Sequence, residues 1–190
     1  MSKKRKRHEL PRDLFTCIVG YLDITTDIFL SGYEILWIRD SKCTERIDGN
    51  TMFRRVNGKK HSLRDQPGIE NSEYRGWFKN DQEHRDHDLP AIEDCLGKHW
   101  FRHGKRHRDH DKPAIEYKSG NHQWYYKGQM HRENDRPANV CAAYSEWHQF
   151  GQLHRDHGKP AIEWSNGSKA WYLHGKKIPP TKSSRNEKNR

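Results

Sequence analysis

The sequence is poor in apolar residues. Only 31% of its 190 residues are hydrophobic, and mean hydropathy is −1.29. It has no run of 18 apolar residues, so no transmembrane helix is expected. The basic start, MSKKRKRH, leads into no apolar signal-peptide core, so secretion is not expected. Cysteine is sparse. Cys17, Cys43, Cys95 and Cys141 lie far apart with no CxxC spacing, and they read as free thiols of a reducing compartment, cytoplasm or nucleus. No serine or cysteine sits in a nucleophile turn such as Gly-x-Ser-x-Gly. So little apolar material would suit disorder, but seven Trp and an aromatic content of 11% do not. A thin, elongated sheet reconciles the two.

What the chain does have is a period. His61, His84, His107, His131 and His154 recur every 23 or 24 residues, and Trp77, Trp100, Trp124, Trp147 and Trp171 keep the same beat. Pro67, Pro90, Pro113, Pro137 and Pro160 follow. Such a period marks an array in which each unit buries its apolar groups against its neighbours. Within one unit, Pro113 suits a strand's first residue, because it has no N–H to donate. Ala114 to Tyr117 alternate, and Ser119-Gly120-Asn121 is turn chemistry. Trp124 to Tyr126 make the return strand. Each unit therefore reads as one β-hairpin. The expected fold is mainly β: an elongated antiparallel sheet of tandem hairpins over residues 53–175, on the order of 50 Å long, with a small helical head before it. One face carries the Ile column (Ile69, Ile92, Ile115, Ile162) with the Trp column, and the other carries Ala91, Ala114 and Ala161.

The net charge of +10 sits at the ends. Lys3, Lys4, Arg5, Lys6 and Arg7 form a run in residues 1–8, read either as a nuclear import signal or as a solubilising tail. Residues 176–190 form a second basic tail. Residues 9–174 hold 25 basic and 25 acidic side chains, so composition offers the body no basic stripe. Any attraction to acidic lipid or nucleic acid is therefore expected through the tails.

Residues 9–40 differ in kind. Pro11 suits a helix start, and Leu14, Phe15, Ile18, Val19 and Leu22 share one helical face. A second short helix is expected through Ile28, Phe29 and Leu30, and a third over 33–39. Residues 41–52 read as a polar linker with a turn at Asp48-Gly49. The string LPRDLFTCIVGYLDITTDIFLSGYEILW resembles an F-box, in its Leu-Pro start, its Tyr-Leu-Asp exit and the later Trp37. The resemblance implies docking on the Skp-type adaptor of a cullin-based ubiquitin ligase through Leu10, Pro11, Leu14, Ile18 and Leu22. The plainer alternative is a cap on the open end of the array.

Tyr125-Tyr126-Lys127-Gly128-Gln129-Met130-His131 resembles the aromatic-x-x-Gly-x-x-His core of MORN repeats, although Arg-x-x-Asp-x-Pro replaces that family's Gly-x-Gly. The MORN resemblance implies scaffolding, dimerisation with a second copy or phospholipid contact, and no catalysis by the repeat. F-box-like heads on such arrays occur in large DNA viruses, which implies a viral protein acting in a host cell. The expected function is a non-enzymatic adaptor that recruits a target protein. Phe78, Phe101, Tyr125 and Tyr172, each following a Trp, are the candidate target-binding positions.

The His-Arg-Asp triplets at 84–86, 107–109 and 154–156 mimic a kinase motif, but no Gly-rich loop and no Asp-Phe-Gly accompany them. Equivalent histidines about 9.6 Å apart cannot share one zinc, whose nitrogens lie at roughly 2.1 Å. We expect no cofactor and no metal, and His107 bonded to Asp111 or to nearby backbone.

Overall fold

The computed structural model describes residues 43–180 in full, together with the backbone of strands Phe29–Ser31 and Glu34–Asp40. The N-terminal basic run, residues 181–190 of the second basic tail and the expected adaptor contacts Leu10, Pro11, Leu14, Ile18 and Leu22 lie outside the described residues, whereas Lys176 and Lys177, the first cations of that tail, stand in strand Lys176–Ile178. The end of the expected helical head is strand instead. Glu34–Asp40 pairs antiparallel with Cys43–Asp48, in keeping with the β-branched and aromatic side chains of Ile35, Trp37 and Ile38. Part of the expected linker is also in the sheet. Cys43–Asp48 and Thr51–Val56 form a hairpin, whose two-residue turn falls on Gly49 and Asn50, one position beyond the expected Asp48-Gly49.

The described fold is mainly β and antiparallel, with one long sheet of 16 strands that grows in chain order. The repeat differs from the expected single hairpin, because each unit folds into two. Ile92–Glu93 and Gly97–His99 form a hairpin within the long sheet. Phe101–Arg102 and Lys105–Arg106 then form a second hairpin, outside that sheet. The same second hairpin recurs as Phe78–Lys79 with Gln82–Glu83, Tyr125–Tyr126 with Gln129–Met130, and His148–Gln149 with Gln152–Leu153. Trp124–Tyr126 is thus not one return strand: His122–Gln123 returns, and Tyr125 begins the second hairpin.

Trp marks the corner between the two hairpins. The Trp100 N–H donates to the Ala114 carbonyl of the next repeat (2.8 Å), and the Trp100 carbonyl accepts the His107 N–H (3.1 Å). Trp77, Trp124 and Trp147 repeat the N–H bond to Ala91, Ala138 and Ala161. The chain therefore leaves the long sheet with its backbone groups satisfied. The Ala at each corner is also bonded through its own N–H (Ala114 to Gln123, 2.8 Å). Ala91, Ala114, Ala138 and Ala161 are 0% exposed. The expected division into an Ile-Trp face and an Ala face does not hold as a division of burial. Ala114, Ile115 and Trp100 all lie in the core, with Trp77 and Trp147.

Close approach explains Gly97. A Cβ there would lie 2.1 Å from the Glu116 carbonyl oxygen, across the pairing of Gly97 with Tyr117. Gly97→Ala is expected to lower unfolding free energy by about 1–3 kcal/mol, since the strands must part to admit the methyl. Ser119→Ala, in an exposed turn, should stay within about 0.5 kcal/mol of the parent. Urea midpoints measure both. Equal midpoints for Gly97→Ala and the parent would refute the close approach.

Candidate interaction surface

The His-Arg-Asp stretch is a joint between repeats. Arg108 sits 3.7 Å above the Trp100 ring and donates to the Pro113 carbonyl (3.2 Å). It also pairs with Asp88 of the preceding repeat through Nε (2.8 Å) and with Glu116 (2.6 Å). Trp100 Nε1 donates to the Asp88 carbonyl (3.0 Å). One aspartate thus receives the Arg on its carboxylate and the Trp on its backbone. The set recurs as Asp65-Trp77-Arg85, Asp111-Trp124-Arg132 and Asp135-Trp147-Arg155. In the same repeats the guanidinium lies 3.7 to 3.8 Å over the indole.

The aspartate occupies a turn with two successive positive-φ residues, His87 (62°) with Asp88 (56°) and His110 (61°) with Asp111 (55°). His, Asn and Asp enter that region more readily than other side chains, and here the Arg and Trp contacts hold it. The Arg side chains are 12 to 14% exposed.

The neighbouring cations hold these carboxyls low. Asp88 falls from 3.8 to about 2, mainly through its hydrogen bond to Arg108, with Lys112 adding to it. Asp135 falls to about 2 in the same way, through Arg155 and then Lys159. Asp65 and Asp111 are lowered by Arg85 and Arg132.

Three histidines of the column, His84, His107 and His154, are fixed through both ring nitrogens, while Nδ1 of His131 is buried with no hydrogen-bond partner. Nε2 of His107 meets Asp109 (2.9 Å), not the expected Asp111, which pairs with Arg132 and Arg136 of the next repeat. Nδ1 of His107 accepts the Lys127 N–H (3.3 Å) at the tip of the next second hairpin. His84 and His154 repeat the arrangement, with Asp86 and His103 in one case and Asp156 and His174 in the other. With Nδ1 accepting, the proton sits on Nε2. Burial, the largest influence on His84, holds it below its ordinary 6.5. In His84, His107 and His154 the nitrogens that would ligate a metal are thus engaged. Among the described residues, no three His, Cys, Asp or Glu side chains gather as a metal site requires. Cys43, Cys95 and Cys141 form no disulfide. No helix among the described residues is long and apolar enough to cross a membrane.

Of the candidate target-binding positions, Phe78 is 3% exposed and belongs to the packing, while Phe101, Tyr125 and Tyr172 are half-buried. Cations cover them: Lys60 lies 4.5 Å over Phe78, and Arg106 lies 5.3 Å from Phe101 and 5.7 Å from Tyr125. The presented side chains are one or two residues further on, in the second hairpins. Tyr126 is 43% exposed, Phe150 53% and Leu173 48%. Three tip rings lie flat on the histidine column: His103 on His84 (4.3 Å, 13°), Phe150 on His131 (4.3 Å, 14°) and His174 on His154 (4.4 Å, 8°).

Successive tips touch. The Gly104, Gly128 and Gly151 N–H groups bond to the carbonyls of Glu83, Arg106 and Met130 in the hairpin before. The second hairpins therefore form one continuous surface. Long-sheet residues line an open groove of about 720 Å³, among them Tyr74, Arg75, Glu93, Asp94 and Tyr117, with Arg75 and Glu93 paired at 2.7 Å.

No protein-family model and no curated protein matches this chain.

The joints set an acid limit. A carboxyl whose folded pKa lies below its unfolded value stabilises the fold above the unfolded pKa, and this is lost as pH falls through the folded one. For Asp88 and Asp135 the window runs from 3.8 down to about 2. His84, held neutral, adds an earlier loss as pH falls through 6.5. Thermal melts from pH 7 to pH 2 should show stability falling over both ranges. Asp88→Asn with Asp135→Asn should flatten the fall below pH 4. An unchanged acid limb in that variant would show that these carboxyls are not what acid releases.

Proposed function

We propose that the protein is a non-enzymatic interaction adaptor. The repeat array is a ribbon that recruits a target, and the N-terminal segment ties it to a Skp-type adaptor of a ubiquitin ligase. The observation that carries the first half is how the reactive side chains are used. His107, Arg108 and Asp109, the triplet that imitates a catalytic loop, are committed to ring stacking, ion pairs and backbone bonds, and the triplets at 84 and 154 repeat those roles. A group spent identically in every repeat holds repeats in register, and a ribbon so held offers surface rather than a unique cleft. The second half rests on the Leu10-Pro11 start and on the apolar face of Leu14, Ile18 and Leu22.

Co-purification of the full chain with a Skp-type adaptor tests the link. The expected result is capture by the parent, and loss of capture in Leu14→Asp with Ile18→Asp at an unchanged thermal midpoint. Capture that survives the double substitution would reject these contacts. A folded parent that captures nothing would reject the adaptor reading and leave residues 10–22 as an end cap.

A further inference from the structure

The fold sorts charges that composition averages away. The second-hairpin segments 78–83, 101–106, 125–130 and 148–153 hold five Lys and Arg against two acidic residues, Asp81 and Glu83, and the turns 55–60 and 171–178 at the two ends of the array, which belong to the long sheet, add five Lys and Arg and no acid. The long-sheet segments 68–77, 91–100, 114–124, 138–147 and 161–170 hold four basic residues against seven acidic. The cations of the joints are neutralised inside the fold: Arg85 by Asp65, Arg108 and Lys112 by Asp88, Arg155 and Lys159 by Asp135. Of those in the second hairpins, only Arg102 is paired among the described residues, with Asp109 (3.1 Å). Among the described residues, Lys59, Lys79, Lys105, Arg106 and Lys127 meet no carboxylate within salt-bridge distance, and all five are exposed. Lys105 and Lys127 lie on adjacent hairpins, joined by the Gly128 N–H bond to the Arg106 carbonyl (2.8 Å).

The same surface carries flat rings. His103, Phe150 and His174 each rest one face on a column histidine, and among the described residues no second ring covers the other. Tyr126 meets His107 (5.3 Å) and His131 (6.4 Å) edge-on instead, and Lys127 lies 5.0 Å over its ring. Unpaired cations attract any polyanion. Pre-placed π faces among them select one whose charged backbone carries planar groups, a single-stranded nucleic acid, because each base can stack on a ring while its phosphate meets a lysine. A lipid headgroup surface uses the cations but has nothing to stack on the rings.

We propose that the row of second hairpins binds single-stranded nucleic acid, with Lys105 and Lys127 on phosphates and His103 and Phe150 under bases. This site is on the body of the protein, not in its tails, and it stands whether or not residues 10–22 dock an adaptor.

Fluorescence anisotropy of the full chain with a labelled oligothymidylate, over a salt series, tests it. Lys105→Gln with Lys127→Gln should weaken binding and shallow the log–log salt slope by roughly 1.4, at about 0.7 per phosphate contact on a single strand. His103→Leu with Phe150→Leu keeps apolar cover on the histidines and removes the π faces. It should weaken binding at least roughly fivefold with the slope unchanged. Replacing Lys3, Lys4, Arg5, Lys6 and Arg7 by Gln should leave the ring dependence intact. Thermal midpoints confirm that each variant is folded. The proposal is overturned if both hairpin variants bind like the parent while the tail variant loses binding. It is equally overturned if the parent binds phosphatidylserine vesicles and not the oligonucleotide.

Discussion

The structure depends on an arginine stacked on a tryptophan and anchored to an aspartate one repeat away. Arg108 covers Trp100, reaches the Pro113 carbonyl and grips Asp88, whose own carbonyl takes the Trp100 N–H. Each contact is modest alone. A partly desolvated cation–π contact is worth about 0.5–2 kcal/mol, and a charge-assisted hydrogen bond is stronger than a neutral one. The closed circuit matters more than any one link, because removing the arginine uncovers an indole face, leaves the Pro113 carbonyl without its donor and takes from the Asp88 carboxylate all but its contact with Lys112. A chain with so little apolar material holds its repeats in register this way.

The two ends of the array show the same rule by its absence. At the last joint Gly158 stands where the others place Asp, and Pro179 stands where the next Arg would fall, so anchor and clamp disappear together. Trp171 still donates to the Gly158 carbonyl (3.0 Å), the half of the circuit that needs no side chain. At the first joint Arg54 occupies the Trp position. Its N–H bonds the Gly68 carbonyl (2.7 Å), as each Trp N–H bonds an Ala carbonyl, and its guanidinium bonds the Pro67 carbonyl (2.6 Å). Glu45, in the strand before, takes the place of the preceding repeat's Asp (3.1 Å).

The period, the mainly β class and the corner residues were legible because they recur in columns. The second hairpin was not, because strands of two residues, such as Phe101–Arg102, carry no alternation to read. The Asp111 link escaped because a contact within one loop looks likelier in a linear reading than one to Arg132, 21 residues on. The presented residues escaped for the opposite reason to the joints. Tip positions hold Asn80, His103, Lys127, Phe150 and His174, and a variable column gives no repeat signal. The basic surface was hidden because equal numbers of opposite charges over residues 9–174 say nothing of how folding sorts them.

The most direct test of this account compares two substitutions at one aspartate. Arg108 and Lys112 both pair with Asp88, but only Arg108 also covers Trp100 and bonds Pro113, and its side chain is 12% exposed against 49% for Lys112. Urea unfolding at pH 7 should show Arg108→Ala losing about 2 kcal/mol or more, from a broken buried network. Lys112→Ala should lose no more than about 0.5 kcal/mol, as an exposed ion pair does. Equal, small losses for the two would contradict the claim that the stacked arginine holds the repeats together.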